Sequence, residues 1–337
     1  MRAAEWIKSF LKFNIPTKVL ARISGIHWDT IRKIHAETIK ETIKDYEEQL
    51  KENGYKPKYL AVDEFAIHRG HRYATCVMDL ETGHVIWVGF GRTKANFIKF
   101  FEEFDLSNLS EVKAVAMDMN ASYNLLVEKY LPKADIVYDR YHMQAQYGRE
   151  VLGTVRLEEA REHKKNASEY KEALSEETDP AVRKQLREKE KEERALYSQT
   201  KKARWLILGN SNKLNEFKKE TLQKILDDHS KLAICYAMKE EMIGLFAIED
   251  PEESEFRWKE WFDAAKSSEI YSLKHFAELK EKRLPGLIAH ARHKISTGKL
   301  EGLNNKIKVA KRTAYGFRNE EYFFNLIRFM TIHGIRC

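Results

Sequence analysis

With 337 residues, 43% of them hydrophobic and 33% charged, the sequence has enough apolar material for two or three packed domains and is too apolar to be a disordered chain. A formal net charge of +7 favours a polyanionic partner without naming one. The three cysteines, Cys76, Cys235 and Cys337, lie far apart, which excludes a disulfide framework and a cysteine-rich zinc site.

The opening MRAAEWIKSFLKF is amphipathic and lacks the apolar core and cleavage site of a signal peptide. No apolar run approaches the roughly 20 residues of a membrane span. A cytoplasmic chain with no membrane partner is expected. Residues 1–55 read as helical. A helix-turn-helix needs a small residue where its helices cross, a glycine in the turn and apolar residues inside the second helix. Ala21, Gly25, Ile26, Ile31 and Ile34 come in that order, leaving Trp28, Arg32 and Lys33 on or near the exposed side of the second helix as candidate DNA contacts. An ordinary helical hairpin uses the same devices, and both readings stand. Lys40 to Lys58 is charged and then turn-rich, at Asn53-Gly54 and Pro57, and is expected to be a linker.

From Lys58 the period changes. Tyr59 to Val62 is a short apolar strand ending at Asp63. Tyr73 to Met78 and His84 to Phe90, joined by Glu81-Thr82-Gly83, read as a hairpin. Lys94 to Phe104 has helical spacing of its apolar residues. Val112 to Met117 is a buried-type strand ending at Asp118, a Leu- and Tyr-rich helix follows, and Ala134 to Tyr138 is a fifth strand ending at Asp139. The order β-β-β-α-β-α-β matches the core of the ribonuclease-H-like fold, a mixed five-stranded sheet in the α/β class.

After Tyr141 the strand signal stops. Residues 156–194 are charged at more than half of their positions with both signs mixed, which predicts a solvated helical hairpin, broken where Thr178 or Asp179 caps a helix opened by Pro180. Residues 203–290 are more apolar helices containing Trp258 and Trp261, expected to fill a core rather than to stack on a base. The predicted division is 1–55 helix-turn-helix segment, 56–145 first part of the core, 146–290 helical insertion, and 291–337 the rest of the core.

Metal-assisted phosphoryl transfer needs hard cations held by rigid carboxylates. Asp63 and Asp118 end strands that are neighbours in the predicted order, and Ser296-Thr297-Gly298 resembles a helix start that places Glu301 in its first turns. Asp63, Asp118 and Glu301 are therefore the candidate catalytic and metal-holding residues. Each acid alone is more often a turn former or a cap, and Glu64, Asp135 and Asp139 are rivals. Asp139, one strand farther from Asp63, is placed with His142 around the site rather than in it. Glu301, Asn304, Asn305 and Lys308 share one helical side, which suits a DNA backbone passing a metal site. Lys299, Lys306 and Arg312 are further candidate phosphate contacts, and Lys306 is also explained by a solvated basic face.

Ala61-Val62-Asp63-Glu64, Ala116-Met117-Asp118-Met119-Asn120, Asp139-Arg140-Tyr141-His142, the run from Glu301 to Lys308 and the stretch KRTAYGFRN at 311–319 together resemble transposases of the ISL-three family of bacterial insertion sequences. The resemblance covers residues 15–335 and implies a ribonuclease-H-like DDE domain with Asp63, Asp118 and Glu301 as its triad and a helical insertion before the glutamate helix. It implies two Mg²⁺ ions per site, with Mn²⁺ as a substitute, and element-end and target DNA as partners. It also implies a homo-oligomer on paired ends in the bacterial cytoplasm, associated with the nucleoid. Relatives carry an N-terminal cysteine-bearing zinc module, with which this sequence is expected not to begin. A non-transposing nuclease of the same fold and a domesticated DNA-binding regulator are the alternatives.

Overall fold

The computed structural model describes residues 2–11, 15–68, 72–209, 213–314 and 316–332; Tyr315 of the 311–319 stretch and Cys337 lie outside them. The chain divides into two compact units, Met1–Asp139 with His293–Cys337, and Arg140–Arg292. In chain order the first unit carries α1 (Arg2–Leu11), α2 (Thr17–Ser24), α3 (Trp28–Glu52), β1 (Tyr59–His68), β2 (Arg72–Asp79), β3 (Val85–Phe90), α4 (Lys94–Glu103), β4 (Ala114–Met117), α5 (Ala121–Tyr130) and β5 (Asp135–Tyr138). The second is helical throughout its described residues: α6 (Arg140–Tyr147), a π-helical turn (Gly148–Leu152), α7 (Gly153–Glu176), α8 (Pro180–Lys202), α9 (Arg204–Leu208), α10 (Glu216–Asp228), α11 (Ser230–Leu245), α12 (Pro251–Ser267), α13 (Tyr271–Glu281) and α14 (Leu284–Arg292). The chain then returns to the first unit with α15 (Gly298–Thr313) and α16 (Glu320–Phe329).

The five strands form one mixed sheet in the order β3-β2-β1-β4-β5, with β1, β2 and β3 antiparallel and β4 and β5 parallel to β1. Alternation along each strand sends side chains to two separate cores. Leu60, Val62, Val77, Val115 and Met117 pack on one face against Phe97 and Phe100 of α4 and Tyr123 and Leu126 of α5. Ala61, Phe65, Cys76 and Ala116 pack on the other against α3, α15 and α16, through Ile39, Ile43, Leu303, Ile307 and Phe323. The β2–β3 turn closes on the Asp79 carboxylate, which accepts the Glu81 N–H and the Thr82 hydroxyl, with Gly83 at φ +73°.

Two sequence expectations are corrected here. β1 does not stop before Asp63 but runs on to His68, because antiparallel pairing with β2 continues after pairing with β4 has ended at Ala61. Lys40 to Lys58 is not a linker: α3 continues unbroken to Glu52, and Ile39 and Ile43 bury its inner side against the sheet. The N-terminal end of α3 belongs to a separate small core, in which Ile7, Leu20 and Ile31 meet beneath Ala21, Ile26 and Ile34. Gly25, at φ +68°, ends α2, and the His27 imidazole caps α3 by accepting the Asp29 N–H.

In the second unit, Asp179 caps α8 by accepting the N–H groups of Ala181 and Val182, with Pro180 at the first helical position. Trp258 and Trp261 are 0% and 1% exposed among Tyr147, Phe246 and Phe262, so they are core residues.

Candidate active site

Asp63 lies two residues beyond Ala61 and Asp118 two residues beyond Ala116, and Ala61 and Ala116 are register partners on β1 and β4. By alternation Asp63 belongs on the sheet face that α15 covers, and Asp118 directly follows the last residue of the neighbouring strand β4. The sheet forks at this point, since β4 ends at Met117 while β1 continues. Asp63 Oδ1 accepts the Glu64 N–H at 2.7 Å and Asp118 Oδ1 accepts the Met119 N–H at 2.6 Å, so each carboxylate is turned back onto its own backbone. Asp63 is half-buried and Asp118 exposed.

Helix α15 crosses β1 at this level. Leu300, Leu303 and Ile307 bury its inner side, and Asn304 donates its amide to Asp63 Oδ2 at 2.8 Å. One turn earlier, Glu301 is exposed in the first turn of the helix, where the positive end of the dipole favours a carboxylate. At about 100° per residue, Glu301, Asn305, Lys308 and Arg312 share the flank next to Asn304, and Lys306 lies on the other. Asn305, Lys306, Lys308 and Arg312 are all exposed, and Lys308 donates to Asn305 Oδ1 at 3.3 Å. Lys299, expected at a phosphate, donates instead to the Leu80 carbonyl, and Lys311 donates to the Ala66 carbonyl at 2.8 Å. These two lysines fasten the helix to both ends of the strand pair.

Asp139 is 2% exposed and accepts the hydroxyl and N–H of Thr297, the residue that precedes the first turn of α15. His293 Nε2 lies 2.9 Å from Asp135 Oδ2 on the same strand. The fifth strand therefore holds the segment leading into the glutamate helix, a role that a strand-end aspartate alone does not reveal in sequence. His142 is exposed on α6, in the second unit.

Glu64, a rival acid in the sequence, takes a different place in the structure. Alternation puts it on the opposite sheet face from Asp63, where Asn120 Nδ2 lies 3.4 Å from its Oε1. Burial pushes its pKa up, while a hydrogen bond from Tyr123 and the nearby Arg92 charge pull it back. Tyr123 in turn meets the Thr75 hydroxyl at 2.7 Å. A cleft of about 490 Å³ lies elsewhere in this unit, lined by Lys44, Glu47, Tyr55, Asp79, His84 and Arg328 among others, and none of Asp63, Asp118 and Glu301 lines it.

On the N-terminal helices, Trp28 and Lys33 are exposed and Arg32 is half-buried. Trp28 Nε1 donates to the Thr17 hydroxyl at 3.2 Å, and the Arg32 guanidinium lies 5.4 Å from the Trp28 ring centroid and 3.8 Å from Asp29. Arg32 is thus partly committed within its own helix, whereas Lys33 points a charge outward.

Magnesium takes one or two carboxylates and fills its remaining positions with water or phosphate oxygens. Asp63, on β1, and Asp118, just past the end of the neighbouring strand β4, are hard donors of the kind that requirement names. Among the described residues no three acidic, histidine or cysteine side chains are gathered to enclose an ion. Glu301 is exposed on α15, one turn before the Asn304 that holds Asp63.

Residues 60–327 match the model of a family described as transposase, the DDE type of the ISL3 group. The chain is 33% identical over 311 residues to the transposase for insertion sequence element IS1001 of Bordetella parapertussis, covering 92% of this chain and 68% of that protein. It is 25% identical over 280 residues to the transposase for insertion sequence element IS1557 of Mycobacterium tuberculosis, covering 82% of this chain and 60% of that protein.

Proposed function

Because the chain belongs to the ISL3 family of DDE transposases, we propose that it cuts DNA at the ends of an insertion sequence and joins the freed 3′-hydroxyl to target DNA. The observation that supports this reading is the hydrogen bond from Asn304 to Asp63, which joins the helix bearing Glu301 to the strand bearing Asp63, next to the strand that Asp118 follows. The sheet order supports a ribonuclease-H-like core.

Asp63, Asp118 and Glu301 would hold two Mg²⁺ or Mn²⁺ ions, which would supply Lewis-acid activation and charge stabilisation for the displacement. The chain's own residues orient the rest. Asn304 and the Glu64 N–H fix the Asp63 carboxylate, and Asp139 fixes the start of the glutamate helix through Thr297. Lys308, Arg312 and Asn305, on the Glu301 flank, bind the DNA backbone; Lys306 reaches a phosphate on the other flank, and Lys299 adds one only by leaving Leu80. His142 orients a water or phosphate. Water attacks the phosphodiester at the element end and the 3′ oxygen leaves as a hydroxyl; that hydroxyl then attacks a target phosphodiester in line, and the target strand's own 3′ oxygen leaves. No covalent bond to the protein forms in either step.

Trp28, Arg32 and Lys33 contact element-end DNA from a helix-turn-helix, so binding weakens steeply with salt. The division into helix-turn-helix, split catalytic core and helical insertion, a homo-oligomer on paired ends and action at the nucleoid in the cytoplasm belong to the same proposal.

The test is Mn²⁺-dependent nicking and strand transfer on end DNA, with thermal melting in Mn²⁺ as a second readout. Wild type gives nicked and joined products and is stabilised by Mn²⁺, and Asp118→Asn loses both. An Asp118→Asn protein that cuts as well as wild type removes the site assignment. Nicking without joined product makes the chain a nuclease of this fold instead.

A further inference from the structure

We propose that Trp205 and the lysines and arginine around it form a single-stranded DNA surface on the helical unit, with the indole stacking on an unpaired base. The proposal rests on the reading of the chain as a DNA-processing enzyme and adds a contact outside the acidic site. Trp205 is 76% exposed, whereas Trp258 and Trp261 are buried. An exposed indole of this size needs a partner more than a scattered leucine does.

Its surroundings state the chemistry of that partner. Across Arg140–Arg292 the sequence balances 30 lysines and arginines against 29 acids, so the unit as a whole has no electrostatic preference. Between positions 199 and 219 it has six bases, Lys201, Lys202, Arg204, Lys213, Lys218 and Lys219, and one acid, Glu216. All six bases are exposed. Arg204 places its guanidinium 5.2 Å from the Trp205 ring centroid, where a phosphate beside a stacked base would meet it. Phe217, on the next helix, is exposed to the same degree between Glu216 and Lys218.

The platform is built rather than loose. Ala203 and Ile207 bury the inner side of α9, and the buried Lys239 donates to the carbonyls of Ile207 and Gly209 at 3.1 Å. Arg156, also buried, donates to the carbonyls of Thr200 and Lys201 at the end of α8. Two helix ends whose carbonyls carry partial negative charge are thus capped from inside by cations, leaving the outer surface positive. An apolar protein partner would call for a largely apolar surround, whereas exposed lysines and an arginine flank Trp205 and Phe217 in the sequence. A duplex hides its base faces, so an indole set among cations matches a single strand.

The experiment uses the full chain with a duplex carrying a short overhang that contains fluorescent aminopurine, and a blunt duplex of the same sequence. Wild type quenches the aminopurine. Trp205→Ala abolishes the quench and weakens overhang binding about tenfold while leaving blunt-duplex binding unchanged, and Trp205→Phe keeps most of both signals. An unchanged quench in Trp205→Ala overturns the proposal. So does a change in the protein's sedimentation on that substitution without DNA, which would make Trp205 a contact between copies. Wild type that shows the Trp205-dependent quench but cannot nick end DNA sinks the transposase reading and leaves this surface standing.

Discussion

Asn304 donates its side-chain amide to the Asp63 carboxylate across 2.8 Å, joining two residues 241 positions apart in sequence. The bond joins α15 to β1 and, together with the Glu64 N–H, orients the Asp63 carboxylate. A hydrogen bond to a charged group is worth about 1.5–3 kcal/mol, less where water can replace it, so Asn304→Ala is expected to cost about 1 kcal/mol in urea denaturation. Asn304→Asp sets one carboxylate against another and costs more at neutral pH than at pH 4. Equal losses at the two pH values would show that Asn304 acts by packing alone.

The Thr297–Asp139 contact makes a second, separable demand. Thr297→Val keeps the shape of the side chain but leaves a buried carboxylate without its hydroxyl donor, at a cost of about 2 kcal/mol. Asp139→Asn, which retains an acceptor oxygen, is expected to be milder in chemical denaturation. If Thr297→Val melts like wild type, the fifth strand does not anchor the glutamate helix.

His35 gives a pH signature far from the acids. It packs between Tyr322 and Phe329, with the Tyr322 hydroxyl 2.7 Å from Nδ1, and burial lowers its pKa from 6.5 to about 4. The unfolded chain takes up the proton first, so this contribution is complete above pH 6.5 and is lost as pH falls toward 4. At about 1.4 kcal/mol per pH unit the loss is roughly 3 kcal/mol. The urea midpoint of wild type should fall over this range more steeply than that of His35→Gln; parallel curves would remove the assignment.

Much of this architecture is legible in the residues. The five strands, their order and the placement of Glu301 just after Thr297 follow from short apolar runs, turn residues and helical spacing. The length of β1 is not legible, because Glu64 and Asp63 interrupt its apolar pattern and only pairing with β2 carries the strand past them. Nor is the reach of α3: Ile39 and Ile43 are two apolar residues in a charged run, and their burial depends on a sheet supplied later in the chain. Asn304 reads in sequence as a DNA contact, and its hold on Asp63 emerges only once the strand beneath it is known. Exposure of one tryptophan and burial of two others is likewise a tertiary outcome, since all three sit in helical stretches of mixed polarity.

The chain leaves the sheet unit after Asp139 and re-enters it at His293, and both margins of this excursion are stapled by side chains: Asp135 to His293, Asp139 to Thr297. Such a clasp makes the sheet unit tolerant of the size of what is inserted between its two halves, because doubling a closed loop adds only about 0.6 kcal/mol of entropy. The excursion can lengthen, shrink or exchange its contents over evolutionary time while the acids keep their places, provided the clasp is kept.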